Sequence, residues 1–138
     1  MMFRNPPAEE ICQLLQAIKS IAVIGYSNRP HRPSHGVACA MQQAGYRIIP
    51  VRPGISEGLG ERAYAHLTDL PETPDMADVF RAPQHVAAIV DDCIALGVKA
   101  LWLQEGVIDE VAAEKAQAAG ITVVMDRCIW KDYRTLLA

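Results

Sequence analysis

Short apolar segments alternate with longer amphipathic ones along this chain, and the clearest pair lies near the N-terminus. Residues 21–24 are apolar and mostly β-branched, and they end at Gly25. A run of that kind is typical of a buried strand in a parallel sheet. After ten polar or constrained residues, apolar periodicity returns at residues 37–41 and predicts a helix, with Ser34 as its N-cap. A strand, a long loop and a helix N-terminus predict the front half of a nucleotide-binding βαβ unit.

The same alternation continues to the C-terminus. It predicts further strands at Arg47–Val51, 62–64, 76–80, Ala100–Leu103 and 121–125, and helices at about residues 7–19, 83–96, 109–120 and 129–137. Asp109 is the predicted N-cap of one helix, and Gly45, Gly97 and Gly120 each end a helix. Alternating strands and helices predict an α/β fold. We expect a single domain over residues 1–138, with a Rossmann-like, doubly wound parallel sheet in three α/β/α layers.

In such a fold the ligand crevice lies at the carboxyl ends of the strands. Five segments should meet there: 25–34, 52–54, 80–83, 104–107 and 126–128. The first contains Arg29 and Arg32 and leads into a helix N-terminus, where unpaired N–H groups and the helix dipole favour an anion. The length of this loop, its two arginines and its two prolines favour an anion-binding site over a simple connection.

The loop lacks the dinucleotide-binding pattern G-x-G-x-x-G. Gly25 occupies the first glycine position, but Ser27 and Pro30 occupy the other two. Arg52 stands after the second strand, where enzymes that use NAD carry an acid for the ribose. These features disfavour NAD and leave open a nucleotide with an additional ribose phosphate, which an arginine can bind.

The composition of the chain argues against nucleic acid or a membrane as the partner and indicates the cellular compartment. The 138-residue chain is 51% hydrophobic, which is enough for one packed core, and its net charge of −3 provides no broad basic surface for nucleic acid. No apolar run approaches the ~20 residues of a membrane span, and the N-terminus lacks the pattern of a secretory signal. Four dispersed cysteines without a C-x-x-C pair are typical of reduced thiols, so we expect a cytoplasmic protein.

The sequence predicts neither a metal site nor a catalytic arrangement. His31, His35 and Cys39 are four residues apart, a spacing that would align them on a helix. Pro33 should break any helix before Ser34, however, which removes His31 from that face. The other histidines are isolated, and no Ser–His–Asp arrangement can be assigned.

Five motifs, each at the predicted end of a strand, together resemble one family. They are G-Y-S-N-R-P-H-R-P-S at residues 25–34, V-R-P at 51–53, D-V-F-R-x-P at 78–83, W-L-Q-E-G-V at 102–107 and M-D-R-C at 125–128. In this order they resemble the small stand-alone CoA-binding proteins, which are similar to the CoA-binding domain of the succinyl-CoA synthetase α-subunit. The resemblance extends from Ser20 to about Tyr133.

The resemblance implies that the crevice binds CoA. The positions that touch CoA in the synthetases fall here on residues 25–28, 52–54 and 103–105. Together with the charged and apolar residues of the predicted crevice, the candidate binding residues are Gly25, Tyr26, Ser27, Asn28, Arg29, Arg32, Ser34, Arg52, Pro53, Phe80, Arg81, Gln104, Glu105 and Gly106. The loop arginines and Ser34 would lie near the pyrophosphate, Arg52 near the 3′-phosphate, and the groups after the fourth and fifth strands along the pantetheine arm. The family usually has Asn at position 52, and the lysine that the synthetases carry after the second strand is replaced here by Ile55 or a neighbouring residue.

The synthetases carry a phosphohistidine in a second domain that has no counterpart in this sequence, so the resemblance does not imply ligase catalysis. We therefore predict a non-catalytic CoA- or acyl-CoA-binding protein. An NADP-dependent oxidoreductase, supported by the fold and Arg52, and an interaction module that uses the fold as a scaffold are the alternatives. Cys128 follows a buried strand without a nearby histidine and is predicted to be a structural thiol, although its place at the crevice leaves a mixed disulfide with CoA open.

Overall fold

Five parallel strands form the central sheet of the computed structural model, which describes residues 2–138. The strands of the chain are β1 (Ser20–Ile24), β2 (Arg47–Val51), β3 (Glu57–Gly58), β4 (Glu61–Arg62), β5 (Met76–Val79), β6 (Ala100–Leu103) and β7 (Thr122–Met125). The helices are α1 (Ala8–Ala17), α2 (Pro33–Gln43), α3 (Val86–Leu96), α4 (Glu110–Ala118) and α5 (Ile129–Leu136). The parallel sheet has the order β2-β1-β5-β6-β7, while β3 and β4 pair as a separate antiparallel hairpin.

Helices cover both faces of the sheet. On one face α3 and α4 contribute residues such as Val90 and Ala113 to one apolar cluster. On the other face α1, α2 and α5 contribute Leu15, Met41 and Ile129 to a second cluster. The structure therefore confirms a Rossmann-like α/β fold with a parallel sheet between two helical layers.

The strands at the centre of the sheet are buried on both faces. In β6, Leu101 and Leu103 belong to the cluster with α3 and α4, whereas Ala100 and Trp102 belong to the cluster with α1, α2 and α5. All four residues are at most 1% exposed. This two-sided burial explains why such strands are continuous apolar runs in the sequence instead of alternating ones.

The predicted strand at residues 62–64 does not join the parallel sheet as a strand. Residues 61–62 instead pair with 57–58 in the hairpin, and Tyr64 alone forms a parallel bridge to Val51. Tyr64 donates its N–H to Pro50 and accepts the N–H of Arg52 at 2.8 Å. The prediction was wrong because the glycine-rich segment turns back on itself before it can extend along β2.

Helix boundaries follow the expected signals with one correction. Ser34 was predicted to be the N-cap of α2, but Arg32 is the N-cap and Pro33 is the first helical residue. The fixed φ of proline suits that first position, so the helix begins two residues earlier than predicted. The Asp109 cap of α4 is confirmed, because its Oδ1 accepts the N–H of Ala112 at 3.0 Å.

An unpredicted contact covers the outer edge of β7. The Asn5 side chain donates Nδ2 to the Met125 carbonyl at 2.9 Å, and its Oδ1 accepts the Met125 N–H at 2.7 Å. The amide thereby imitates a neighbouring strand and satisfies both edge groups of Met125. Within residues 2–138 no helix has the length and apolar character needed to cross a membrane.

Candidate functional site

A cleft of about 870 Å³ opens at the carboxyl ends of all five parallel strands. Each of the five segments predicted to meet there contributes to its lining. The lining residues are Gly25, Ser27, Arg32, Pro33, Ser34 and Val37 around the start of α2, Arg52 and Pro53 after β2, Phe80, Arg81, Ala82 and Pro83 after β5, Gln104, Glu105, Gly106 and Val107 after β6, and Cys128 after β7. A pocket at this edge of a parallel sheet is the usual ligand site of such folds.

Most of the predicted site residues lie together in this cleft. They are Gly25, Ser27, Arg32, Ser34, Arg52, Pro53, Phe80, Arg81, Gln104, Glu105 and Gly106. Tyr26, Asn28 and Arg29 are not among the residues that line it. A direct role for their side chains in binding therefore has no support from the geometry and stays a prediction.

Tyr26 and Asn28 instead hold the β3–β4 hairpin against the first loop. The Tyr26 ring is fully buried, and a Cβ on Gly58 would overlap it. The Tyr26 hydroxyl donates to Asn28 Oδ1 at 3.0 Å, and Asn28 Nδ2 donates to the Glu57 carbonyl at 2.9 Å. These two residues shape the wall beside the cleft through contacts within the protein.

Sequence reasoning missed several lining residues as members of the site. They are Pro33, Val37, Ala82, Pro83, Val107 and Cys128. Five of these lie inside the segments that were predicted to meet at the crevice. Val37 lies one helical turn after Pro33, so the i, i+4 spacing on α2 is the signal that could have identified it.

Gly25 allows the first loop to approach β5 closely. Its φ is +85°, and a Cβ there would overlap the Phe80 carbonyl oxygen. The backbone around it is hydrogen-bonded on both sides, because the Gly25 N–H donates to Val51 and the Phe80 N–H donates to Ile24. A side chain would therefore push apart the strand ends that form the floor of the cleft.

Positive charge is concentrated on the side of the cleft that lies at the carboxyl ends of β2, β1 and β5. Arg32, Arg52 and Arg81 all line it. Arg52 donates Nη1 to the Tyr26 carbonyl at 3.2 Å, and Arg81 Nη2 lies 3.1 Å from His85 Nε2. With the N-terminus of α2 at the same place, this half of the cleft favours an anionic group.

Ser34 presents an unused hydroxyl beside these arginines. The residue is 6% exposed and lines the cleft, and Oγ has no hydrogen-bond partner within residues 2–138. The α2 helix starts without a side-chain cap, so this hydroxyl is not consumed by the helix end. It is free to donate to a ligand oxygen.

Gln104 presents an unused donor at the opposite end, near β6 and β7. It is 5% exposed, and its Oε1 accepts the N–H of Ile129 at 3.2 Å. An N–H can only donate, so the carbonyl oxygen of the amide must face Ile129 and Nε2 must face the other way. Nε2 makes no hydrogen bond within residues 2–138, and Gln104 lines the cleft.

Asp78 is a buried acid outside the cleft lining. It lies in β5 opposite Val23 and Trp102, is 1% exposed, and its Oδ1 has no hydrogen-bond partner within the described chain. Burial raises the pKa of Asp78 well above its ordinary value. The group is therefore held in the protonated form over a range where exposed aspartate is ionised.

The described residues contain no group of three or more His, Cys, Asp or Glu side chains that could hold a metal ion. The start of α2 at Pro33 leaves His31 outside the helix that carries His35 and Cys39. All four cysteines are free thiols. Taken together, the fold and the cleft define a Rossmann-like α/β domain with a cleft that has an arginine-rich end and an end without lining lysine or arginine.

The chain belongs to the family described as the CoA binding domain, whose model matches residues 19–134. It is 40% identical to the uncharacterized protein YneT of Bacillus subtilis over 126 residues, which cover 91% of this chain and 93% of YneT. The solved structure of a hypothetical protein from Pyrococcus horikoshii aligns with a TM-score of 0.93 at 30% identity and covers 100% of this chain and 99% of that one. The resemblance drawn from the five motifs is thus confirmed.

A longer relative matches only in part. Acetate–CoA ligase (ADP-forming) II of Archaeoglobus fulgidus is 30% identical over 83 residues, which cover 59% of this chain and 12% of the ligase. The similarity therefore concerns a small part of that enzyme. It does not extend the ligase activity to this chain.

Proposed function

We propose that the cleft binds CoA or acyl-CoA and that the protein does so without catalysing a reaction on it. The observation that carries this proposal is the uneven charge of the cleft. Arg32, Arg52 and Arg81 line its β2–β1–β5 end, whereas the β6 and β7 ends contribute no lining lysine or arginine. CoA has the same polarity, with three phosphates at one end and an uncharged pantetheine arm at the other.

The charge pattern assigns each part of CoA to a part of the cleft. The pyrophosphate would lie at the N-terminus of α2, beside Arg32 and the Ser34 hydroxyl. The 3′-phosphate would lie near Arg52. Its guanidinium group has further N–H donors besides the Nη1 donor that contacts the Tyr26 carbonyl. The pantetheine arm would extend toward β7, where Gln104 Nε2 can donate to an amide carbonyl.

The composition of the lining favours binding over turnover. None of the lining residues is a histidine. The lining carboxylate of Glu105 is bonded to Lys131 Nζ at 3.1 Å, and the lining thiol of Cys128 has no lining histidine to accept its proton. General acid–base chemistry requires a titratable group free to exchange a proton with the ligand. A cytoplasmic location remains a prediction, which the four free thiols support.

An NADP-dependent oxidoreductase is the second candidate, because Arg52 could bind a ribose phosphate. The first loop weakens this candidate. Ser27 stands where the second glycine of the dinucleotide pattern lets the pyrophosphate approach the backbone. It is 4% exposed and its Oγ accepts the Arg29 N–H at 3.1 Å, so its side chain is built into the loop.

Native mass spectrometry of the purified protein separates these candidates. We expect a retained ligand with the mass of CoA or an acyl-CoA. Retention of NADP would favour the oxidoreductase instead. If no nucleotide is retained and neither CoA nor NADP binds when added, the fold serves as a scaffold and the proposal is wrong.

A further inference from the structure

Cys128 is the cysteine that borders the cleft. It is 8% exposed, belongs to the lining and forms the N-cap position of α5. The other three cysteines lie outside the cleft lining. Cys12 and Cys39 lie on α1 and α2 outside the lining, and Cys93 is fully buried, with burial raising its pKa to about 12. A ligand in the cleft can therefore reach one sulfur, that of Cys128.

Gln104 independently indicates that a ligand occupies the region beside Cys128. Its Oε1 bonds to the N–H of Ile129, the residue that follows Cys128. This bond fixes the amide next to the cysteine and turns Nε2 away from Ile129; Gln104 lines the cleft, and Nε2 makes no hydrogen bond within residues 2–138. The Gln104 residue is 95% buried, its Nε2 makes no hydrogen bond within residues 2–138, and a carbonyl of a ligand in the cleft would supply an acceptor.

The strand order places the two ends of the cleft at a suitable separation. The pyrophosphate site after β1 and Cys128 after β7 are three strand spacings apart. At about 4.8 Å per spacing this amounts to roughly 14 Å. An extended pantetheine arm covers such a distance, so a CoA held by its phosphates at Arg32 would bring its sulfur to Cys128.

We propose that Cys128 forms a reversible mixed disulfide with CoA in this cleft, by exchange with CoA disulfide; this rests on the proposed function. The Cys128 thiolate attacks one sulfur of CoA disulfide, the existing S–S bond breaks, and a Cys128–CoA bond forms. The other CoA leaves as a thiolate and takes up the proton that Cys128 lost. Cys128 is oxidised and the departing CoA is reduced, so no further oxidant is needed. Excess thiol reverses the reaction, and the disulfide form retains its CoA.

Intact-mass and peptide-mass spectrometry test this after incubation with CoA disulfide. We expect one adduct per chain, on Cys128, removed by dithiothreitol. The rate should exceed that with glutathione disulfide by about tenfold, because only the CoA compound is held by the cleft. Desulfo-CoA, which has the phosphates but no thiol, should protect Cys128 in the wild-type protein. The Cys39→Ser variant should react like the wild type, and Cys128→Ser should not react.

Two results would overturn the proposal. One is labelling of Cys12 and Cys39 as fast as Cys128. The other is equal rates with both disulfides and no protection by desulfo-CoA. Calorimetry with CoA on the same samples separates the two inferences: binding without an adduct removes the role of Cys128 alone, whereas no binding removes the proposed function as well.

Discussion

Arg52 Nη1 donates a hydrogen bond to the carbonyl oxygen of Tyr26 at 3.2 Å. This contact joins the turn after β2 to the loop after β1 and holds the guanidinium at the edge of the cleft. The sheet reinforces the junction, because the Gly25 N–H donates to the Val51 carbonyl at 3.0 Å. Arg52 is therefore positioned by backbone groups before any ligand arrives, which reduces the entropy lost on binding.

Arg52→Ala should weaken CoA binding and leave dephospho-CoA binding nearly unchanged. A charge-assisted contact to the 3′-phosphate contributes about 1.5–3 kcal/mol, so we expect a loss of about tenfold or more for CoA. Because Arg52 is exposed to solvent, we expect the contribution to lie toward the lower end of this energy range. Isothermal titration calorimetry with both ligands measures this difference. An equal loss for both ligands would place Arg52 at the pyrophosphate instead.

Arg32→Ala should weaken CoA and dephospho-CoA equally, because both ligands carry the pyrophosphate. Arg32 caps α2 through its backbone, so the substitution leaves the helix start intact. We expect a loss of about tenfold for each ligand. Arg29→Ala is the matched control, since Arg29 lies in the same loop but outside the lining. Equal effects of the two substitutions would contradict the assigned position of the pyrophosphate.

Substitutions at Ser34 and Asp109 should have opposite effects on ligand affinity and on stability. Ser34 makes no cap bond, so Ser34→Ala should leave the melting temperature nearly unchanged and lower the CoA affinity about fivefold, through a lost hydrogen bond. Asp109 is a true cap, so Asp109→Ala should destabilise the protein by about 1 kcal/mol and leave the affinity unchanged. Thermal unfolding and calorimetry distinguish them. A stability loss in Ser34→Ala without an affinity change would remove Ser34 from the site.

Gly25→Ala should destabilise the protein by roughly 2 kcal/mol or more, because the backbone has a positive φ and the new Cβ would overlap the Phe80 carbonyl. Gly36→Ala is the control. Gly36 lies within α2 and has open space around it, so the substitution should be neutral or stabilising by about 0.5–1 kcal/mol. Urea denaturation measures both variants. Similar stabilities would show that the first loop tolerates a side chain at residue 25.

Asp78→Asn should remove a pH dependence of stability. The folded-state pKa of Asp78 is raised by burial, so above the ordinary carboxyl pKa the unfolded chain loses a proton that the folded chain keeps. The free energy of unfolding should therefore fall as pH rises from that value to the folded-state pKa. Urea denaturation from about pH 5 to pH 8 should show a shallower decline in the variant than in the wild type. Parallel slopes would mean that Asp78 is ionised in the folded state.

Local patterns predicted most of the framework. The buried strands, such as β6, are continuous apolar runs, and Asp109 and Gly97 mark helix ends that the structure confirms. The error at the start of α2 arose where two local signals competed. Both Pro33 and Ser34 are helix-start residues, and the proline prevailed because its ring already fixes the helical φ.

Long-range contacts could not be predicted from the sequence. Asn5 pairs with Met125, and nothing near either residue indicates the other. The buried position of the Tyr26 ring requires a glycine at residue 58, which lies in a hairpin that the sequence pattern did not predict. The cleft itself was predictable as five converging segments, because parallel strands all end at the same edge. Which side chains in those segments point into it depends on packing, as the difference between Arg29 and Arg32 shows.

The most direct test of the account is a calorimetric ranking of CoA, dephospho-CoA, NADP and NAD on the wild-type protein. The charge distribution of the cleft predicts that CoA binds most tightly, that dephospho-CoA binds about tenfold more weakly, and that NAD is far weaker still. Tighter binding of NADP than of CoA, or no measurable binding of CoA, would contradict the assignment of the cleft to CoA.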